Sequence, residues 1–311
     1  MSKLKQFFKE FLYSSNCPWL LSKMYFEKKD ANARKQLLKM IKSSTDLMKG
    51  VPENAKKHWA SRIQNVLVAE DNAFIPRHEE AGKLKEDWLV MHNGLKIDPM
   101  SYYGFGLMKM LVENKGVHEP QEELIFHEVL KQLSTSKPLT MLELGSYWSF
   151  YSMWLSDLFP KSDCFMVEPD KKNLYYGKRN FHANGFEGKF IHAGIGKSAN
   201  PKKNIRTVDE LCANNNIEFL DILHADIQGF ELEMLEGSQQ MISDKRIGYA
   251  FISTHSNELH NGCRNFLLKH DFVEVASANV DESYSWDGIL VMKSRHYEGL
   301  DTVGISKRQG K

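Results

Sequence analysis

FLDILHADIQGFE, residues 219–231, reads as a buried strand that stops at a polar turn and runs straight into a helix. Asp226 stands at the strand's carboxyl end, Gly229 makes the turn, and Glu231 opens the helix, where a carboxylate suits the dipole. Side chains alternate along a strand, so Ile222, His224 and Asp226 share one face. The same texture repeats on both sides. TMLELG (140–145), CFMVEP (164–169), KFIHAGI (189–195) and YAFISTH (249–255) are strand-like. Between and around them lie helical stretches at 121–133, 150–159, 174–184, 208–213 and 231–242. A further helix follows 255, with Leu259, Cys263, Phe266 and Leu267 on one stripe. Alternation of this kind builds right-handed β-α-β units and a largely parallel sheet. FVEVASA (272–278) and GILVMK (288–293) have only a loop between them and predict an antiparallel hairpin at the sheet edge. The expected fold class is therefore α/β, Rossmann-like, mostly parallel with an antiparallel edge hairpin.

Outward from this region the chain divides into three. Residues 1–116 read as a mainly helical N-terminal region, 117–298 as the α/β domain, and 299–311 as a polar, frayed tail. Leu4, Phe7, Phe8, Phe11 and Leu12 form an apolar stripe opposite Lys3, Lys5, Lys9 and Glu10. Residues 1–12 could touch a membrane surface weakly, but a stripe of this kind more often packs on its own protein or on a second copy in a homo-oligomer. Residues 1–60 carry thirteen Lys/Arg against five Asp/Glu, while the whole 311-residue chain has a net charge of only +1. That imbalance reads first as a solvated helical face, with an anionic partner such as a membrane surface, a nucleotide-linked sugar or an acidic glycan as the alternative. The apolar runs are too short to span a bilayer, and Lys9 and Glu10 interrupt the N-terminal stretch that a secretory signal would need. Cys17, Cys164, Cys212 and Cys263 form no C-x-x-C pair. A cytoplasmic location is the expectation.

In such folds ligands bind outside the carboxyl ends of the strands. After the first strand comes Glu143-Leu144-Gly145-Ser146, where Gly145 permits a tight turn and close backbone approach. The second strand ends at Glu168-Pro169, and an acidic residue about this far beyond the glycine clamps a ribose. Ala193, in the third strand, completes the set expected to line the nucleoside. A dinucleotide needs G-x-G-x-x-G to meet its pyrophosphate. Here Gly145 stands alone, with Tyr147, Trp148 and Ser149 following. The pattern favours S-adenosylmethionine, which carries no phosphate, over NAD(P).

Together these residues resemble the FkbM family of methyltransferases. The likeness is carried by Thr207-Val208-Asp209-Glu210-Leu211, then by Asp221, Leu223, Asp226, Gly229, Glu231, Leu235 and Gly237 in family spacing. Glu119-Pro120, Glu143-x-Gly145 and Glu168-Pro169 also fit, over residues 117–295 in all. The resemblance implies a class I methyltransferase sheet and O-methylation of a hydroxyl on a sugar, glycolipid or polyketide; a sugar, glycan or glycolipid hydroxyl is the acceptor expected here, with no nucleic-acid partner. His224 stands where the family has Lys, Gln228 where it has Glu, and Ser149 where it has another Gly.

The site residues expected from this are Glu143, Gly145, Ser146, Glu168, Pro169, Ala193 and Asp226 for the cofactor, with Asp226 and His255 for catalysis. Asp226 is the first choice to orient or deprotonate the acceptor. His255, as a neutral imidazole, is the second. His224 is read as packed. His224, Asp226 and His255 match no compact metal-ligand spacing, so no metal is expected. Tyr102 and Tyr103 are read as packing at the domain junction, with sugar stacking as the lesser possibility. A nucleotide-dependent oxidoreductase or epimerase and a non-catalytic protein of the same fold are the competing readings.

Overall fold

The computed structural model describes residues 19–133 and 137–309, with side chains from residue 24 onward. The stripe at residues 1–12 and Cys17 lie outside the described residues. The N-terminal region begins with helices α1 (Trp19–Lys42) and α2 (Glu53–Leu67). Three short strands follow, β1 (Leu84–Lys85), β2 (Trp88–Val90) and β3 (Lys96–Ile97), and then α3 (Phe105–Glu113). The small antiparallel sheet departs from the mainly helical expectation for residues 1–116. Its first turn is the dipeptide Glu86–Asp87, with φ of 51° and 66°. Left-handed φ at both central positions is what a two-residue hairpin turn requires, and these residue types do not advertise it as Asn-Gly would.

The α/β region follows as α4 (Pro120–Gln132), β4 (Thr140–Leu144), α5 (Phe150–Leu158), β5 (Asp163–Val167), α6 (Lys171–Ala183) and β6 (Lys189–Ile191). It continues through β7 (Gly194–Ile195), β8 (Ile205–Arg206), α7 (Val208–Asn214) and β9 (Leu220–Ala225). Last come α8 (Glu231–Glu236), α9 (Gln239–Ser243), β10 (Ile247–Thr254), α10 (Asn257–Leu268), β11 (Phe272–Ala278) and β12 (Gly288–Ser294). The main sheet has seven strands in the order β11-β12-β10-β9-β4-β5-β6. Strands β10, β9, β4, β5 and β6 are mutually parallel, and β12 runs antiparallel to both β10 and β11. This is the expected Rossmann-like sheet with its antiparallel edge hairpin.

Every residue of β9 and β10 is buried. Central parallel strands are covered on both faces, which is why they appear in sequence as apolar runs. Ile222, Met141 and Phe251 face α4, α5 and the N-terminal helices, whereas Leu223, Ala225 and Leu142 face α7, α8 and α10. The single helix expected over 231–242 is two helices, because the chain bends at Gly237. A Cβ there would lie 2.5 Å from the carbonyl oxygen of Gly196. The strand expected over 189–195 is likewise divided between β6 and β7, and β7 pairs with β8 instead of the main sheet.

The tail, expected to fray, is anchored. Ser306 N–H donates to Asp71 Oδ1 at 2.9 Å, its carbonyl accepts from Gln121 Nε2 at 2.7 Å, and Arg308 Nε donates to Ser283 O at 2.8 Å. Polar composition did not predict this, because the partners are buried polar groups from three distant segments. Among the described residues, no helix is long and apolar enough to cross a membrane.

Candidate active site

The strand order reverses between β4 and β9, and the crevice outside their carboxyl ends is where a parallel sheet offers a ligand room. A cavity of about 400 Å³ opens there. Its walls include Gly145, Glu168, Pro169, Ala193 and Asp226, five of the residues expected to bind the cofactor. Ile195, Ile205 and Ile227 supply apolar surface, and Phe230, half exposed, stands at its edge. A smaller cavity of about 60 Å³ adjoins it and shares Tyr103, Gly145, Tyr147 and Asp226. Glu143 and Ser146, the other two expected residues, line the smaller one.

Gly145 has φ +68°, and a Cβ on it would come within 1.9 Å of the Asp226 carbonyl oxygen. The glycine therefore lets β4 and β9 close together beneath the ligand, in addition to opening the turn. Ser149 takes φ +64° where a glycine would be at ease. The backbone geometry is kept without the residue that favours it, at a cost of about 1–2 kcal/mol.

Three N–H groups of this turn are already used. Gly145 and Ser146 both donate to Val167 O, at 2.9 and 3.0 Å, and Tyr147 N–H donates to Glu168 Oε2 at 2.9 Å. A diphosphate would need those donors. The arrangement instead suits a nucleoside that brings no phosphate. Glu168 also accepts from Asp170 N–H at 2.7 Å through Oε1. Each carboxylate oxygen keeps lone-pair capacity for a ribose hydroxyl. Burial pushes the Glu168 carboxyl up to about 7, against the pull of those two backbone donors.

Behind Asp226, which lines both cavities, sits a histidine among acids. His255 Nδ1 is 2.7 Å from Glu231 Oε1. Its Nε2 lies 3.3 Å from Asp226 Oδ1 and 3.2 Å from Asp287 Oδ1, ion-pair distances off the line of the N–H. Burial alone would lower its pKa, but the three carboxylates overcome it and raise the ring to about 10. His255 is thus an imidazolium at neutral pH, which corrects its expected role as a neutral base. Its positive charge lies beside Asp226. Gln228 Nε2 also donates to Asp226 Oδ1 at 2.9 Å, so both contacts fall on one oxygen. Asp287 is pushed up to about 6 by burial and by the charge of Asp226.

Because the folded chain binds the His255 proton more tightly than the unfolded chain, the pairing stabilises fully below pH 6.5. It is lost as pH rises through about 10. The expected result is that the Tm of the wild type falls more steeply between pH 8 and 10.5 than that of His255→Asn. Parallel curves in a thermal-shift series would contradict the pairing.

His224 is packed, as expected. Its Nε2 lies 2.7 Å from Glu122 Oε1 and its ring sits 4.3 Å from that of Tyr151. It therefore turns to Glu122 and not to Asp226 and His255. Among the described residues no group of three or more His, Cys, Asp or Glu is arranged to hold a metal ion. Tyr102 is buried, with its ring 4.6 Å from Trp148, whereas Tyr103 is 55% exposed and lines both cavities. Cys164, Cys212 and Cys263 are buried free thiols.

Sequence reasoning passed over Asp287, Trp286 and Arg62, all of which line the smaller cavity. The first two had a legible signal. In an antiparallel strand the residues before its start lie level with the carboxyl ends of its neighbours, so Trp286 and Asp287, just ahead of β12, belong to the site edge.

Residues 161–274 match the family model described as Methyltransferase FkbM domain. The matched span contains the Asp221–Gly237 motif and identifies a methyltransferase domain in this chain. No curated protein matches the chain. Among solved structures, the chain is similar to precorrin-6y C5,15-methyltransferase from Geobacter metallireducens GS-15, at 16% identity over 50% of this chain and 80% of that one, TM-score 0.37. It is also similar to M. capricolum TrmK in complex with S-adenosyl-homocysteine, at 13% identity over 58% and 71%, TM-score 0.40. The N-terminal domain of human METTL16 in complex with SAH aligns at 15% identity over 56% and 70%, TM-score 0.39. The fold class stands on the sheet order of this chain itself.

Proposed function

We propose that the chain is an S-adenosylmethionine-dependent O-methyltransferase acting on a hydroxyl of a sugar, glycan or glycolipid. One observation carries the cofactor reading: a 400 Å³ cavity with Gly145 at its floor, Glu168 on its wall and turn N–H groups already committed to protein acceptors. When bound, S-adenosylmethionine supplies an electrophilic methyl group on a positively charged sulfur.

The chain's part is to place the acceptor oxygen in line and take its proton. Bound S-adenosylmethionine would supply the methyl group and keep the departing electron pair on its sulfur, and Asp226 would receive the proton that the acceptor hydroxyl gives up. His255 and Gln228 both hold Oδ1 of that carboxylate, which turns Oδ2 to the acceptor. Tyr103, exposed and lining the cavity beside Asp226, offers a ring face on which a sugar can stack. The test is incubation with methyl-labelled S-adenosylmethionine and a panel of glycans, glycolipids and their nucleotide-linked precursors. Label in a hydroxyl-derived methyl ether supports the proposal. Label only in protein or RNA, with the panel inert, contradicts the acceptor class.

A further inference from the structure

The smaller cavity holds polar groups that methyl transfer at Asp226 leaves unused. Arg62 lies on α2, outside the α/β region and outside residues 161–274, yet it is only 3% exposed and lines this cavity with Gly145 and Asp226. Its Nη1 donates to Tyr284 O at 3.2 Å and its Nη2 to His118 O at 3.4 Å, with Trp286 stacked at 5.4 Å. Its Nε has no partner, and neither has Ser146 Oγ, on a residue that is 2% exposed. A buried donor without an acceptor is destabilising, and two in one cavity mark a place where an acceptor is to arrive.

The same cavity offers the opposite charge. Glu119 Oε1 is 3.8 Å from Arg62 Nη2, and Glu119 Oε2 accepts from Tyr151 O–H at 3.1 Å. A guanidinium beside a carboxylate, in a space too small for a second ring, matches one small chemical group, an α-amino acid zwitterion. A planar guanidinium binds a carboxylate through parallel N–H donors, and a carboxylate takes an ammonium.

We infer that this cavity receives the amino-acid tail of the cofactor, its carboxylate on Arg62 and Ser146 and its ammonium on Glu119. The inference rests on the S-adenosylmethionine reading above. The two cavities share Gly145, Tyr147 and Asp226, so a ligand whose nucleoside fills the larger extends into the smaller at the turn. Glu143, also on this wall, disfavours a carboxylate on its own side and so fixes which way round the tail lies. One consequence is that the N-terminal helical region is part of the cofactor site.

The test compares two ligands by calorimetry on the full chain. S-adenosylhomocysteine carries the amino-acid tail, and 5′-methylthioadenosine keeps the nucleoside and sulfur but lacks it. Arg62→Gln is expected to raise the Kd for S-adenosylhomocysteine about tenfold or more, the effect of losing a charged hydrogen bond, and to leave that for methylthioadenosine within about twofold. Equal losses for both ligands, or an unchanged Kd for S-adenosylhomocysteine, overturn the assignment. Methylthioadenosine binding also reports that the variant is folded. If Arg62→Gln does not fold, Ser146→Ala decides by the same selective loss. Wild-type protein that binds neither ligand overturns the cofactor reading itself, and the assignment of this cavity falls with it.

Discussion

Asp226→Asn is expected to lower kcat by about 10²- to 10⁴-fold, the span associated with removing a general base, while S-adenosylhomocysteine affinity changes only a few-fold. The substitution keeps the shape of the side chain. It also keeps the backbone hydrogen bond from Asp226 N–H to Leu144 O, 3.0 Å long, that seats the residue at the end of β9. What it removes is the negative charge that, in the proposed mechanism, receives the acceptor proton. His255 retains Glu231 and Asp287 as counter-charges, so the fold of the turn survives. A structural turn residue would behave differently, losing stability with little loss of kcat once folded. Single-turnover kinetics alongside a melting curve separate the two. An Asp226→Asn enzyme that melts at a lower temperature yet turns over at the wild-type rate would reassign this aspartate to the scaffold.

Gly145→Ala is expected to be the most damaging single methyl that can be added to the site. The left-handed φ of +68° costs a residue with a Cβ about 1–2 kcal/mol. The new atom also meets the carbonyl oxygen and carbon of Asp226 at 1.9 and 2.8 Å. These are backbone atoms that cannot swing aside, so a further 1–3 kcal/mol or so of overpacking strain follows. The summed loss of about 2–5 kcal/mol corresponds to a fall in Tm of roughly 3–8 °C for a chain of this size. Gly185 is the natural control, because its φ is +77° but a Cβ there would meet nothing within 4 Å. Gly185→Ala carries the conformational cost alone. If the two variants melt together, β4 and β9 are not held at this distance by the absence of a side chain.

The residues that were legible in sequence are those whose position follows from the parallel sheet. Gly145, Glu168 and Asp226 each stand where an apolar run stops, and in a parallel sheet all such ends lie on one edge. Asp287 was missed because it precedes a strand instead of following one, and only the antiparallel course of β12 brings it to that edge. Arg62 could not have been found by spacing. It reaches the site through α2, and one of its hydrogen-bond partners, Tyr284, is 222 residues away in the chain.

The charge on His255 was equally hidden. A histidine at a strand end reads as a base, and it becomes a cation only when Asp226, Glu231 and Asp287 arrive from three different elements. Glu231 was read as a helix opener. It is fully buried, and besides His255 it accepts from Gly229 N–H at 2.9 Å, which ties the β9 turn to the histidine. Gln228, where the family has a carboxylate, bonds Asp226 with its amide. A fourth acid, at 228, would have added negative charge beside the three already present, and the amide gives a donor in its place.

Calorimetric titration of the wild type and Glu168→Gln with S-adenosylhomocysteine and with NAD⁺ addresses the nucleoside pocket directly. The wild type should bind the sulfur nucleoside and not the dinucleotide, and Glu168→Gln should weaken that binding about tenfold or more through loss of the charged ribose contacts. Heat from NAD⁺ alone, or an affinity for S-adenosylhomocysteine that is indifferent to residue 168, would contradict the account.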